Sequence, residues 1–346
     1  MILKKILVKL LQFAISFAIL GYLLHQLSQD KETLDRIWSG PKNWLLLIPA
    51  SLLILFTTIL SFVRWKLLVT ALGMKFSLSD ALRLGFLGYL FNFLSVGIAG
   101  GDVIKMVFLA RQQKEHRMEA VTTVVFDRIV GLFGLLVVGS LSFLMFDVSR
   151  LSVGEPDALK AFLLLGKITV GLTLTGTVVA ILLLVTGFVN HPLLDRLTGF
   201  PGLGGMIRKA LHALRTYRNK PRILITALLI SLAVHWLLSV GIYLIARAIT
   251  GNCPSLPTHC VIVPIANIAN AAPLPGGLGA FEAALDAVYR AVSPGTAVLK
   301  QGFVVALGFR FITLLVAGVG VFYRIANRQA VAELVQQSQA EHSVEA

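Results

Sequence analysis

The sequence predicts an all-α integral membrane protein with about six full spans plus two opposed re-entrant helical hairpins, arranged as an inverted repeat. Three observations carry this. Of 346 residues, 56% are hydrophobic and only 14% charged, whereas soluble domains run near about one quarter charged. Apolar runs of helical length recur along the whole chain. Two further apolar stretches are broken at their centres, one by Pro273-Leu274-Pro275-Gly276-Gly277-Leu278-Gly279 ahead of Glu282, the other by Gly97-Ile98-Ala99-Gly100-Gly101 ahead of Asp102. In lipid, broken backbone is tolerated only where protein buries it or water lines it. Two such breaks in corresponding halves point to a transporter-like site. Residues 1–328 then form a single polytopic membrane domain, with 329–346 a polar cytoplasmic tail.

Met1-Ile2-Leu3-Lys4-Lys5 has the look of a signal peptide, but no small-residue cleavage site follows, so 6–27 is read as an uncleaved first span. Further runs cover 44–69, 119–146, 159–188, 222–249 and 296–323. Each can cross about 30 Å of hydrocarbon at about 1.5 Å per residue. The broken stretches, 80–112 and 259–292, leave arms of about 12–15 residues, too short to span alone. They are read as hairpins that enter and return on one side.

Net charge is +14. No recognition module accompanies it, which argues against nucleic acid; basic loops instead reflect topology and contact with anionic headgroups. With both breaks as hairpins, the most basic loop, 196–222, joins the cytoplasmic side together with Lys4, Lys5, Arg64, Lys66, Lys105, Arg111, Arg324 and Arg328. Full crossings would put that loop outside, against the positive-inside rule. Both termini are therefore expected in the cytoplasm, and the hairpins enter from opposite faces. Each follows a span ending in Arg (Arg64, Arg247) and precedes one containing Arg (Arg128, Arg310), so 44–146 and 222–323 read as inverted copies. Residues 204–220 carry apolar positions on one helical face and cations on the other, an amphipathic interfacial helix.

Arg128 and Arg310 lie inside spans, where a charge costs about 2.5–3.5 kcal/mol on insertion scales. Each is either a structural partner of a carboxylate or a contact for a lipid phosphate. Asp127 adjoins Arg128, but adjacent helix residues diverge, so its partner lies elsewhere. Arg310 must reach Glu282, Asp286, a hairpin carbonyl or a ligand. Asp102 and Glu282 follow Gly-Gly pairs in the first turn of each returning arm. There a carboxylate satisfies free amides, or the amides hold an anion while the carboxylate meets an amine or relays a proton. Asn92, Asn267 and Asn270 on the entering arms must find partners, chiefly the broken backbone. Cys253 and Cys260 fall on the predicted outer side, and whether they pair is open. No zinc spacing, Walker loop, dinucleotide fingerprint or nucleophile elbow appears, so no enzyme activity, cofactor or metal is expected.

The Pro-x-Pro-Gly-Gly-x-Gly-x-x-Glu stretch ending at Glu282, with Asn92, Gly100-Gly101-Asp102 and Phe126-Asp127-Arg128-Ile129-Val130-Gly131-Leu132, resembles the lysylphosphatidylglycerol synthase transmembrane-region family over about residues 5–325. That family includes the flippase half of the multiple peptide resistance factor. Two departures stand out: the family often has Pro near Ser95 and Arg at Lys105, and a lysine loses the bidentate fork for phosphate. The soluble aminoacyl transferase domain of full-length synthases would follow the last span, and its synthesis reaction is not expected here. The resemblance implies lipid handling in a bacterial inner membrane. The expected function is a flippase or scramblase-like transporter of a polar-headed lipid: an anionic or aminoacylated phospholipid, or a polyprenyl-phosphate-linked one. The alternative is a non-transporting subunit that presents a polyprenyl-phosphate or hopanoid intermediate to a separate transferase. Assembly with itself or with such a transferase is left open.

Overall fold

Local chemistry sets several helix starts. Ser77 and Asp80 form a reciprocal capping box, the Asp80 amide donating to Ser77 Oγ at 3.1 Å and the Ser77 amide to Asp80 Oδ2 at 3.2 Å. Ser255 accepts from the Thr258 amide at 3.5 Å, and Pro221 opens a helix where its missing N–H is no loss. The computed structural model describes residues 2–29, 31, 35, 39, 42–94, 100–113, 115–145, 156–185, 188–199, 204–271, 277–292 and 300–326. The expected breaks at Pro273, Pro275 and Gly276, the 97–99 part of the first break, Ser95 and the tail 329–346 lie outside them.

In chain order the helices are α1 (Ile2–Gln29), α2 (Leu47–Ala71), α3 (Leu78–Leu94), α4 (Gly100–Gln112), α5 (Arg117–Met145) and α6 (Pro156–Ala180). They continue as α7 (Pro192–Leu197), α8 (Gly204–Tyr217), α9 (Pro221–Thr250), α10 (Leu256–Asn267), α11 (Ala280–Val292) and α12 (Gln301–Ala326). No strand occurs among the described residues. Among those residues, 5 helices are long and apolar enough to cross a membrane: Trp44–Ala71, Arg117–Met145, Leu159–Leu183, Pro221–Thr250 and Gln301–Tyr323. These match five of the expected spans within a few residues, except that the last begins at 301 rather than 296. The remaining expected span, 6–27, falls within the 28 residues of α1.

Each broken stretch is two short helices packed antiparallel. In the first, Gly101 of α4 lies against Gly88 of α3 so closely that an added Cβ would sit 1.9 Å from the Gly88 carbonyl oxygen. Only glycine permits that approach. In the second, α10 ends in a 3₁₀ turn, Ile268–Ala271, and His259 of α10 meets Tyr289 of α11 at 2.5 Å, Nε2 to hydroxyl. Gly277 and Gly279 have φ of 68° and 86°, the left-handed region. The arms of 17, 13, 12 and 13 residues reach about 18–26 Å at about 1.5 Å per residue, short of the hydrocarbon thickness.

At the centre α2 and α9 run antiparallel: the Asn43 amide donates to Ala248 O at 3.0 Å at one end, and Arg64 Nη1 to Ser231 Oγ at 2.7 Å further along. The entering arms cross over. Helix α3 packs on α12, with Phe86 and Tyr323 stacked at 6.2 Å, and α10 packs on α5, where Gly139 faces Pro264. The largest buried cluster links α9 to α12 through Ile242, Ile262, Phe281, Tyr289 and Phe309. Helix α6 exposes Leu164, Leu165, Ile168, Leu172 and Leu174 along its outer side, as a lipid-facing span would.

The amphipathic segment 204–220 is helical to Tyr217, but it docks on protein as well. Tyr217 is fully buried, stacks on Phe126 at 4.3 Å and donates to Leu68 O at 2.9 Å. Lys220 donates to the Ala71 carbonyl at the end of α2, a cation on a helix C-terminus.

Candidate functional site

The charges of the two broken stretches settle into two ion-pair centres. In the first, Asp102, in the opening turn of α4, receives Arg128 of α5 in a fork: Nε to Oδ2 at 2.6 Å and Nη2 to Oδ1 at 2.9 Å. In the second, Glu282, in the opening turn of α11, receives Arg310 of α12, Nε to Oε1 at 2.8 Å. The correspondence is close. In both, an arginine on the span after a hairpin holds the first-turn carboxylate of the returning arm. Such charge-assisted bonds are the strong ones.

Each centre is also tied to its break. Asn92 Oδ1 accepts from the Gly101 amide at 3.1 Å. Glu282 Oε2 accepts from the Gly279 amide at 2.8 Å, and Arg310 Nη2 donates to the Gly277 carbonyl at 3.4 Å. Asn270 donates to Asn267 Oδ1 at 2.5 Å, and its own amide oxygen lies where a Cβ on Gly277 would fall, 2.3 Å away. The tip of the first hairpin reaches the second centre: Arg310 lies 6.0 Å over the Phe93 ring.

The centres differ in exposure. The Glu282 side chain is 0% exposed and that of Arg310 11%, whereas the Arg128 side chain is 53% exposed beside an Asp102 at 9%. The Arg310 pair is closed inside the protein. The Arg128 pair leaves about half of the arginine side chain exposed.

Asp127 has the separate partner that its position requires, on α2. Arg64 donates through Nε to Oδ1 at 2.8 Å and through Nη2 to Oδ2 at 3.1 Å. This corrects the reading of Arg64 as a loop cation closing its span: it is buried within α2, which runs on to Ala71. It also breaks the expected match with Arg247, which is exposed in the last turn of α9. Lys105, counted among the cytoplasmic cations, is buried too. Its Nζ lies 4.0 Å from Asp102 Oδ1 and over the rings of Phe62 and Trp65 at 5.5 and 5.3 Å. Thus Arg64, Asp102, Lys105, Asp127 and Arg128 form one cluster with cations in excess. Asp286 does not join Arg310; its neighbours are Arg290 and Lys300, at 3.4 and 3.5 Å.

Arg64 and Lys105 are the members that sequence reasoning missed. The usable signals were Leu67-Leu68-Val69 continuing the apolar run past Arg64, and the three-residue step from Asp102 to Lys105, one helical turn. Cys253 and Cys260 are both free thiols.

A family model described as "Lysylphosphatidylglycerol synthase TM region" matches residues 9–320. No curated protein and no solved structure matches the chain.

Proposed function

The chain belongs to the lysylphosphatidylglycerol synthase TM region family, and from that premise we propose that this multi-pass membrane protein moves a polar-headed phospholipid between leaflets. The observation that carries the reading is the repeated ion pair, Asp102–Arg128 and Glu282–Arg310, one half-exposed and one closed. The two halves, α2–α5 and α9–α12, are read as inverted copies. In support, each begins with a long helix packed antiparallel on its counterpart, and each sends its entering arm across to the last span of the other. The short arms are read as re-entrant, entering the bilayer from opposite faces, with both termini cytoplasmic.

In this mechanism the lipid phosphate displaces a carboxylate from arginine at the accessible centre. Arginine suits the task because its fork binds carboxylate and phosphate alike. Asp102, released from Arg128, keeps Lys105 nearby, so it is not left as an uncompensated charge. The headgroup then passes along the seam toward Arg310 while the acyl chains stay in the bilayer. Asn92 and Asn270 hold the break backbone and keep the path open.

The test is headgroup movement of a labelled lipid in liposomes holding purified protein. The double variant Glu282→Gln/Arg310→Met removes both charges, which is often near neutral for folding. It is expected to remain monodisperse and to lose transport. Rates equal to wild type in that variant, or wild-type rates equal to empty vesicles, would overturn the proposal. Lipid retained through purification with no transbilayer movement, together with a bound transferase, would mark a presenting subunit instead.

A further inference from the structure

Between α1 and α11, one turn along α11 from Glu282, lies an open cavity of about 970 Å³ with Lys300 on its wall. Its lining is graded. Ala18, Ile19 and Leu23 of α1 and Ala283 of α11 make one end apolar; Tyr22, Gln26, Arg290 and Lys300 make the other rich in donors. Asp286 lies at that end, 1% exposed, and both cations share its Oδ2 at 3.4 and 3.5 Å. Those distances exceed the roughly 2.7–2.9 Å of a tight charge-assisted bond. Asp286 Oδ1 meanwhile accepts from the Phe303 amide at 3.3 Å. One carboxylate thus faces two cations, with His25 also on the wall.

The neutral groups extend the same polarity. Lys300 donates to Gln26 Oε1, and Gln26 Nε2 donates to the Tyr22 hydroxyl at 2.5 Å. The Tyr22 oxygen is then used as an acceptor, and with Tyr22 60% exposed its own proton is accessible to a ligand. Lys300 also stands at φ 65°, the one non-glycine with positive φ among the described residues. Backbone of this kind is costly and clusters at active sites, ligand clamps and switch regions.

We propose that this cavity binds a phosphate-bearing amphiphile, its phosphate held by Lys300, Arg290 and the Tyr22 hydroxyl and its chains against Ala18, Ile19 and Leu23. A phosphate reaching Lys300 replaces a long, shared contact with a direct one, and the apolar end matches a lipid rather than a free ion. The site requires binding alone and does not depend on the transport reading.

The experiment titrates short-chain phosphatidic acid, short-chain phosphatidylcholine and glycerol phosphate into the purified full chain in zwitterionic detergent, reading affinity and the ligand-induced rise in Tm. Phosphatidic acid is expected to bind best. Glycerol phosphate binding equally well would assign the site to soluble phosphates and overturn the lipid assignment. Lys300→Gly removes the cation and relieves the backbone, while Arg290 remains beside Asp286, so the chain should stay folded while affinity falls about tenfold or more. Asp286→Asn keeps an acceptor for the Phe303 amide and removes the carboxylate that Lys300 and Arg290 share, so it should tighten binding. The Glu282→Gln/Arg310→Met variant should bind as wild type, which separates failure here from failure of transport. No preference for phosphatidic acid over phosphatidylcholine, or unchanged affinity in Lys300→Gly, would sink the proposal.

Discussion

A guanidinium and a carboxylate in hydrocarbon are stable as a pair and costly apart. Removing one partner of the closed centre, as in Glu282→Ala, leaves the buried Arg310 without its carboxylate, beside the Gly277 carbonyl and the Phe93 ring. The expected loss is about 3–5 kcal/mol, seen as a fall in Tm in detergent. Asp102→Ala should be milder, since Arg128 is half-exposed and can turn to headgroups or water; an equal loss would count against that difference. Cys253 supplies a test outside the spans. Burial pushes its thiol up to about 11, so little thiolate exists at neutral pH. Its alkylation rate should climb about tenfold per pH unit up to about 11. A plateau near pH 8 would contradict that environment.

Two helices meeting at a glycine can approach more closely than any side chain allows, and the first hairpin depends on that. Gly101→Ala would drive a methyl group into the Gly88 carbonyl. The outcome expected is separation of α3 from α4 and a loss of about 1–3 kcal/mol, with the Asn92 bond to the Gly101 amide weakened. Gly279→Ala fails for a different reason: at φ 86° a Cβ costs about 1–2 kcal/mol, and it would press on Ile19 of α1 at 3.1 Å. Both hairpins should therefore lose thermal stability on alanine substitution, whereas Gly205→Ala, with open space around the added Cβ, should not. The need for glycine at 101, 277 and 279 was legible from the sequence, because runs of Gly and Pro inside an apolar stretch have few other uses. What each glycine meets was not, because the neighbour lies on another helix.

At the scale of the whole molecule, the proposed entry of the two hairpins from opposite faces predicts a labelling pattern. Single cysteines at Phe93 and Leu278, beside the two breaks, in a chain whose free Cys253 and Cys260 are replaced by serine, should resist a membrane-impermeant thiol reagent in intact cells and react after solubilisation. Rapid labelling from outside or inside would place the breaks at a water interface and remove the seam. The helical class, the run of spans and the positions of both breaks follow from composition and period alone, because burial in lipid demands long apolar helices and punishes any interruption. The pairing of Asp102 with Arg128 and Glu282 with Arg310 was open beforehand, since a buried charge announces its need for a partner but not which one. Arg64 and Lys105 show the limit most clearly. In one dimension a cation near a helix end looks like a loop residue bound for water. Only the packing of α5 and α9 against α2 turned Arg64 inward, where Asp127 and Ser231 could solvate it in place of the water it had lost.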